Sequence, residues 1–321
     1  MKVSICCITY NQEKFIANAI EGILMQQTNC PVEIIIGDDC SNDGTGAICA
    51  EYAKNNSGTI KLLTSEKNIG MMANFVRTLK ACSGKYIALC EGDDYWCDKH
   101  KLQKQVDFLE ANSNYALCFH RTYELRNDIL VLPYQQKAEE EHTFTIENLA
   151  TANFIVTPSV VFRNNLFTSF PSWIYNAPAG DYVLHMLNAR HGLIKYFPEP
   201  MAVYRIHDGG IWSSTEGLKR LEKMVLLLSY LLQEDFSSDV KQILQKQLNK
   251  NQENHLKALM KNDDWTEFLK VLADYSGKNK YIAQKWLLEY YPKQIRAIKS
   301  SRAYRIAAFL KRLKHSFRKE S

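Results

Sequence analysis

Through roughly the first 120 residues, apolar positions fall into two alternating patterns. Short unbroken runs at Val3–Thr9, Val32–Gly37, Ile60–Leu63, Tyr86–Cys90 and Tyr115–Phe119 are bounded by glycine, asparagine or acids, as strands buried on both faces are. Between them lie stretches with apolar residues three and four apart. Glu13–Met25 sets Phe15, Ile16, Ala19, Ile20 and Ile23 on one side; others run to Asn55 after Asp43 as an N-cap, over Met71–Cys82 and over Lys101–Asn112. Strands separated by helices of this length need parallel crossovers, which predicts a doubly wound α/β sheet.

From Arg121 the pattern loosens. Ile129–Leu132 reads as a hairpin strand, Gln135–His142 as a polar loop, and Ile155–Phe162 as a strand broken by Pro158. A helix is predicted over Gly180–Arg190, strands over Leu193–Phe197 and Ala202–Ile206, and a flexible loop over His207–Glu216. Beyond Gly217 the periodicity is helical only: Leu218–Asp235, Val240–Lys261, Trp265–Tyr275 after Asp263 or Asp264 as a cap, and Lys278–Tyr290 up to Pro292. The chain therefore divides by pattern into an α/β domain over 1–216, a helical extension over 217–292 and a tail over 293–321.

Charge changes the picture at that tail. The net charge is +5 over 321 residues, yet residues 293–319 hold ten Lys or Arg and no acid. Ile306, Phe309, Leu310, Leu313 and Phe317 form an apolar stripe among them, which suits an interfacial helix on anionic lipid. A solvated charged helix and a helix held in a partner's groove are the other readings. Nothing in the chain resembles a nucleic-acid motif. With 46% hydrophobic and 23% charged residues the composition is that of a soluble globular protein. No run is long enough to span a bilayer, and the strand-like start after Lys2 lacks a signal-peptide pattern. The expectation is a cytoplasmic protein, peripheral at the inner face of the membrane if the tail binds lipid. Nine cysteines without metal spacing, several inside apolar runs, read as reduced buried thiols.

The chemistry concentrates where the fourth strand ends. Glu91, Asp93 and Asp94 follow Cys90 within four residues, beside Tyr95 and Trp96. Ligands in open α/β sheets sit at the carboxyl ends of strands, and clustered hard oxygens there suit Mg²⁺ or Mn²⁺. An isolated cluster of this kind reads first as a solvated acidic turn.

Four motifs in order carry a resemblance: ITYNQEKFIANAI at 8–20, GDDCSNDGT at 37–45, NIGMMANF at 68–75 and CEGDDYW at 90–96. Together they resemble family 2 glycosyltransferases, enzymes with the GT-A fold, over about residues 1–215, and most nearly bacterial members that build surface polysaccharides. The resemblance implies a UDP-sugar donor, a Mn²⁺ or Mg²⁺ cofactor, and transfer to a glycan or lipid-linked acceptor, with inversion at the anomeric carbon. It implies Asp93 as the direct metal ligand, with Glu91 near the ribose and metal, although the family more often has aspartate at that position. It places Thr9, Tyr10, Asn11 and Glu13 against the uridine, Asp39 on the uracil imide N–H, and Asn68 and Gly70 beside base and ribose. His207, in YRIH, is implied to reach the metal or diphosphate, and Trp212 to shield the site from water. Asp181, in AGDY, stands where the family places the base that deprotonates the acceptor.

Structural roles compete with these. Thr9 and Asn11 can end a strand, Asp43 and Gly44 can cap and turn, Gly70 can serve a turn alone, and Asp181 can be only an N-cap. Asp94 either orients its neighbours or makes structural hydrogen bonds. Glu199 is a fallback base, and His120 and Arg121 are weaker candidates for acceptor or phosphate contact. Two other functions compete as well. A non-catalytic scaffold with this fold would commonly lack the acids. A sugar-nucleotidyltransferase would want an Arg-containing glycine loop after the first strand, and TYNQEK is not one.

Overall fold

A computed structural model describes residues 2–133, 139–210, 215–262, 264–282 and 285–286. Residues 283–284 and 287–290 of the predicted helix over 278–290, Trp212 and the whole 293–321 tail lie outside the described residues.

The alternating first half folds as its pattern predicts. β1 (Val3–Thr9), β2 (Val32–Asp38), β3 (Ile60–Leu63) and β4 (Tyr86–Leu89) alternate with α1 (Ile16–Leu24), α2 (Thr45–Asn55) and α3 (Met71–Ala81). They are followed by β5 (Tyr95–Trp96), α4 (Lys101–Ala111), β6 (Tyr115–Arg126), β7 (Ile129–Val131), β8 (His142–Phe144) and α5 (Ile146–Leu149). β9 (Val161–Arg163), α6 (Asp181–Ala189) and β10 (Leu193–Ile206) complete the sheet region. The ten strands form one sheet in the order β3-β2-β1-β4-β9-β6-β10-β5, with β7 on β6 and β8 on β10. β3, β2, β1 and β4 are parallel, as the crossover helices require.

Two prolines-and-strand problems are resolved by local geometry. Pro158 sits in a 3-10 turn, Thr157–Ser159, so the strand begins only at Val161 and wedges antiparallel between β4 and β6. Pro198 and Pro200 do not split the expected pair of strands. They ride in a register shift between Phe197 and Ala202 that leaves β10 continuous from Leu193 to Ile206. α1 begins at Ile16 rather than Glu13, because residues 12–15 form a turn whose Gln12 carbonyl accepts from Phe15 N–H at 2.9 Å.

A core lies on the face of the sheet covered by α1 and α4: Val3, Ile5, Cys7, Ile34, Ile36, Tyr86 and Ala88 pack with Ile16, Ile20, Leu102, Val106 and Leu109. All nine cysteines are unbridged, and seven are buried. The helical region comprises α7 (Gly217–Leu231), α8 (Ser238–Lys261), α9 (Trp265–Lys278) and α10 (Lys280–Ile282). Asp264 caps α9, accepting from Glu267 N–H at 3.1 Å. By internal packing the chain forms two compact units, Met1–Glu216 with Leu226–Gln247, and Gly217–Val225 with residues from Leu248 onward. Among the described residues no helix is long and apolar enough to cross a membrane.

Candidate active site

β1 and β2 end side by side at Thr9 and Asp38, and β4 flanks β1 on its other edge. Three loops therefore leave the sheet together. The acid loop is pinned to β1, with Cys90 N–H donating to Cys6 O at 3.2 Å and Gly92 N–H to Ile8 O at 3.0 Å. Only glycine fits that approach. A Cβ at position 92 would stand 2.4 Å from Gln12 Oε1, 2.7 Å from Thr9 Oγ1 and 2.9 Å from Thr9 Cβ. Thr9, nearly buried, donates to Gln12 Oε1 at 2.8 Å, so it supports the acid loop from beneath.

Glu91, Asp93 and Asp94 each bring a carboxylate oxygen to within 4.8 Å of the others. Burial raises Glu91 to about 8, with the charges of Asp93 and then Asp181 adding to it. Asp94 is pushed well above the usual carboxylate range by burial, then by Asp93 and Glu91. Its Oδ1 accepts from Arg205 N–H at 2.8 Å, while its buried Oδ2 has no hydrogen-bond partner. Three mutually repelling hard-oxygen donors with an orphaned oxygen among them fit a divalent cation such as Mg²⁺ or Mn²⁺.

β10 delivers a second set of groups to the acids. His207 Nε2 lies 3.1 Å from Asp93 Oδ2, and its ring packs 4.7 Å from that of Phe15. Arg205 Nε donates to the Asp93 carbonyl at 2.9 Å, and its guanidinium lies over Phe15 at 4.6 Å and Tyr95 at 5.4 Å. Burial raises the Tyr204 phenol above its usual range, and the charges of Asp94, Glu91, Asp93 and Asp181 each add to it. Tyr204 therefore stands within electrostatic reach of all four acids.

Asp181 is the first residue of α6. Asn153 Nδ2 donates to its Oδ2 at 3.0 Å, and Asn153 Oδ1 in turn accepts from Ile155 N–H at 3.3 Å. Burial raises Asp181 above the usual carboxylate range. Glu199 is engaged elsewhere, in an ion pair with Lys104 Nζ at 2.5 Å. His120 is buried in the core, with Nδ1 2.6 Å from the Arg121 carbonyl.

The residues assigned to the nucleoside form a cross-braced floor. Asp39, 2% exposed, accepts from Ile69 N–H at 2.8 Å and Gly70 N–H at 2.9 Å. Asn68 Oδ1 also accepts from Gly70 N–H, at 3.0 Å, and Gly70 has φ +90°, where a side chain is strained. Asn11, at φ 53°, accepts from Asn42 N–H at 2.8 Å, and its own N–H donates to Ser41 Oγ at 2.9 Å. Glu13 and Asp43 clasp reciprocally: Glu13 N–H donates to Asp43 Oδ2 at 3.2 Å, and Gly44 N–H donates to Glu13 Oε2 at 2.8 Å. Asp43 Oδ1 also accepts from Thr45 N–H at 3.0 Å, at the start of α2. Above this floor Tyr10 and Ile69 stay exposed, at 41% and 37%.

Glu91, Asp93, Asp94 and His207 thus come together in one group, and Asn11, Glu13, Asp39, Asn68 and Gly70 in the braced loops, while Glu199 and His120 lie apart from both. Sequence reasoning passed over Tyr204, Arg205, Phe15 and Asn153. The first two lie inside the YRIH motif; nothing in the residue pattern singles out Asn153.

Residues 4–167 match the model of glycosyl transferase family 2. The uncharacterized protein Rv1520 of Mycobacterium tuberculosis is 40% identical over 212 residues, which is 66% of this chain and 61% of that protein. The chain thus matches about 61% of the length of its mycobacterial relatives. In fold it is similar to S. aureus TarS 1–349 in complex with UDP-GlcNAc, with a TM-score of 0.64, 22% identity and coverage of 86% and 80% of the two chains. It is also similar to a mannosyltransferase of Pyrobaculum calidifontis in complex with GDP-Man and Mn²⁺, with a TM-score of 0.59, 16% identity and coverage of 95% and 82%. With the family model spanning half of the sequence and the GT-A sheet behind it, this chain belongs to glycosyl transferase family 2.

Proposed function

We propose that this protein is an inverting glycosyltransferase that moves a sugar from a UDP-sugar to a hydroxyl of a glycan or lipid-linked acceptor, in the assembly of a bacterial surface polysaccharide. One observation carries the reading: apart from the three-acid cluster stands a further acid, Asp181, whose charge reaches Glu91. The two groups divide the work of a displacement. Asp181 accepts the proton of the acceptor hydroxyl, whose oxygen attacks the anomeric carbon as the bond to the diphosphate breaks. Burial makes Asp181 a stronger base than a solvated carboxylate, and Asn153 holds its Oδ2.

Asp93, Glu91 and His207 would hold the cation. When bound, it supplies positive charge against the departing diphosphate. Tyr10 offers a face for the base, and Asp39 an acceptor for an imide N–H, which uracil has and cytosine lacks. The basic 293–321 tail serves attachment to an anionic membrane surface. The test is calorimetry of the purified protein against UDP, CDP and GDP with and without Mn²⁺. Mn²⁺-dependent binding of UDP is the expected result. Absence of UDP binding would overturn the catalytic reading in favour of a scaffold, and tighter GDP binding would replace the donor.

A further inference from the structure

The hairpin formed by β6 and β7 ends in an apolar edge that stays exposed among the described residues. Ile129, Leu130, Val131 and Leu132 are 64%, 49%, 42% and 40% exposed. Successive strand residues point to opposite faces, so this edge is apolar both above and below. An antiparallel edge strand with one face on the core and the other in water is apolar on one face only. Asn127 and Asp128, at φ 48° and 61°, form the tight turn that projects it.

The register places this edge beside the candidate site. Tyr204, Glu124 and Val131 form one row across β10, β6 and β7; Ile206, Arg126 and Ile129 form another. At one strand spacing per step, Val131 lies about 10 Å from Tyr204. Tyr204 in turn feels the charges of Glu91, Asp93, Asp94 and Asp181. Arg126 stands at the base of the edge, its side chain 62% exposed and 3.9 Å from Glu124.

The chemistry of the edge selects its occupant. All four residues are branched aliphatics, with no ring for a sugar face to pack on. Pairing with a second copy would satisfy the open backbone edge yet leave both side-chain faces in water. A flexible hydrocarbon chain can cover both faces. We propose that β7 binds the aliphatic chain of a lipid-linked acceptor, with Arg126 beside the phosphate that joins chain to sugar. The inference rests on the cleft being the site of glycosyl transfer, and it chooses the lipid-linked class of acceptor over a free glycan.

The test is titration of the full-length protein, with UDP and Mn²⁺ saturating the donor site, against farnesyl diphosphate and against inorganic pyrophosphate. Wild type is expected to bind the farnesyl compound at least about tenfold more tightly, since apolar burial on β7 adds to the shared phosphate contact. Ile129→Ser/Leu130→Ser/Val131→Ser should remove that preference, with melting temperature and UDP affinity kept. Ile129→Ser alone should reduce the preference in part. Equal binding of the two probes by wild type would overturn the proposal. So would a preference that survives in both variants, or a dimer by light scattering that the triple variant dissolves without changing farnesyl binding. Failure of UDP to bind with Mn²⁺ in the same preparation would instead overturn the transfer reading, independently of the farnesyl result.

Discussion

Asp39→Asn separates a residue that holds the nucleoside floor together from one that only meets the base. The carboxylate is 2% exposed and accepts from Ile69 N–H at 2.8 Å and from Gly70 N–H at 2.9 Å. Asparagine keeps the shape but turns one of those acceptors into a donor; Ile69 N–H keeps the amide oxygen, and Gly70 N–H loses its bond to a charged group and keeps only Asn68 Oδ1 at 3.0 Å. A hydrogen bond to a charged group contributes roughly 1.5–3 kcal/mol. With Asn68 still accepting from Gly70, the loss stays within that range, roughly 1.5–3 kcal/mol. In a domain of this size that corresponds to a melting temperature lower by roughly 3–12 °C. Freeing the 68–70 turn should also weaken UDP by at least about tenfold. Calorimetric melting and UDP titration of the same variant provide both readouts. A variant that melts with wild type refutes the bracing argument, and if it has also lost UDP, Asp39 acts on the base alone.

Asp93→Ala should leave the melting temperature within about 2 °C of wild type, since losing the His207 contact is offset by relief of repulsion with Glu91 and Asp94, while abolishing Mn²⁺-dependent UDP binding and transfer; undiminished turnover would remove the metal role. Gly92→Ala pushes a Cβ against Thr9, at a cost of about 1–3 kcal/mol, and should weaken Mn²⁺ in the UDP complex; an unchanged Mn²⁺ titration would show that the loop relaxes freely. Asp181→Asn should bind donor normally and transfer at less than about one hundredth of the wild-type rate, and a near-normal rate would move the base elsewhere. Lys101 is buried, packs 4.0 Å from the Trp96 ring centroid, and burial lowers it from 10.5 to about 7. Between those values the unfolded chain holds a proton that the folded chain does not, so the lysine's penalty is greatest below the lower value and fades as pH rises towards 10.5. Urea stability of wild type relative to Lys101→Met should therefore rise from pH 7 to 10; a flat difference would show that the lysine stays charged inside the fold.

Much of the site was legible because its residues are local. CEGDDYW places three acids at one strand end, and GDDCSNDGT and NIGMMANF bring Asp39 and Gly70 from runs whose strand and helix periods are plain. Roles within those motifs were less legible. Asn11, Glu13 and Asp39 look alike on paper as ligand-binding polar residues. In the fold they spend hydrogen bonds on Asn42, Gly44, Ile69 and Gly70, because loops meeting at a sheet edge must satisfy each other's backbone groups. Asn153 carries no pattern at all; only the packing of a distant loop against the start of α6 sets it on Asp181.

By itself, the sequence determined the alternation of buried strands and amphipathic helices, and hence the parallel half of the sheet, since a right-handed crossover is the arrangement that period and length permit. It also determined that acids cluster after β4. Tertiary structure decided what those acids face. The antiparallel β9 and the continuous β10 depend on how Pro158, Pro198 and Pro200 are accommodated by neighbouring strands. That placement alone carries Tyr204, Arg205 and His207 to a loop more than a hundred residues away. It also sets the apolar β7 edge in the same rows of the sheet, because strand register is a relation between segments that neither segment encodes alone.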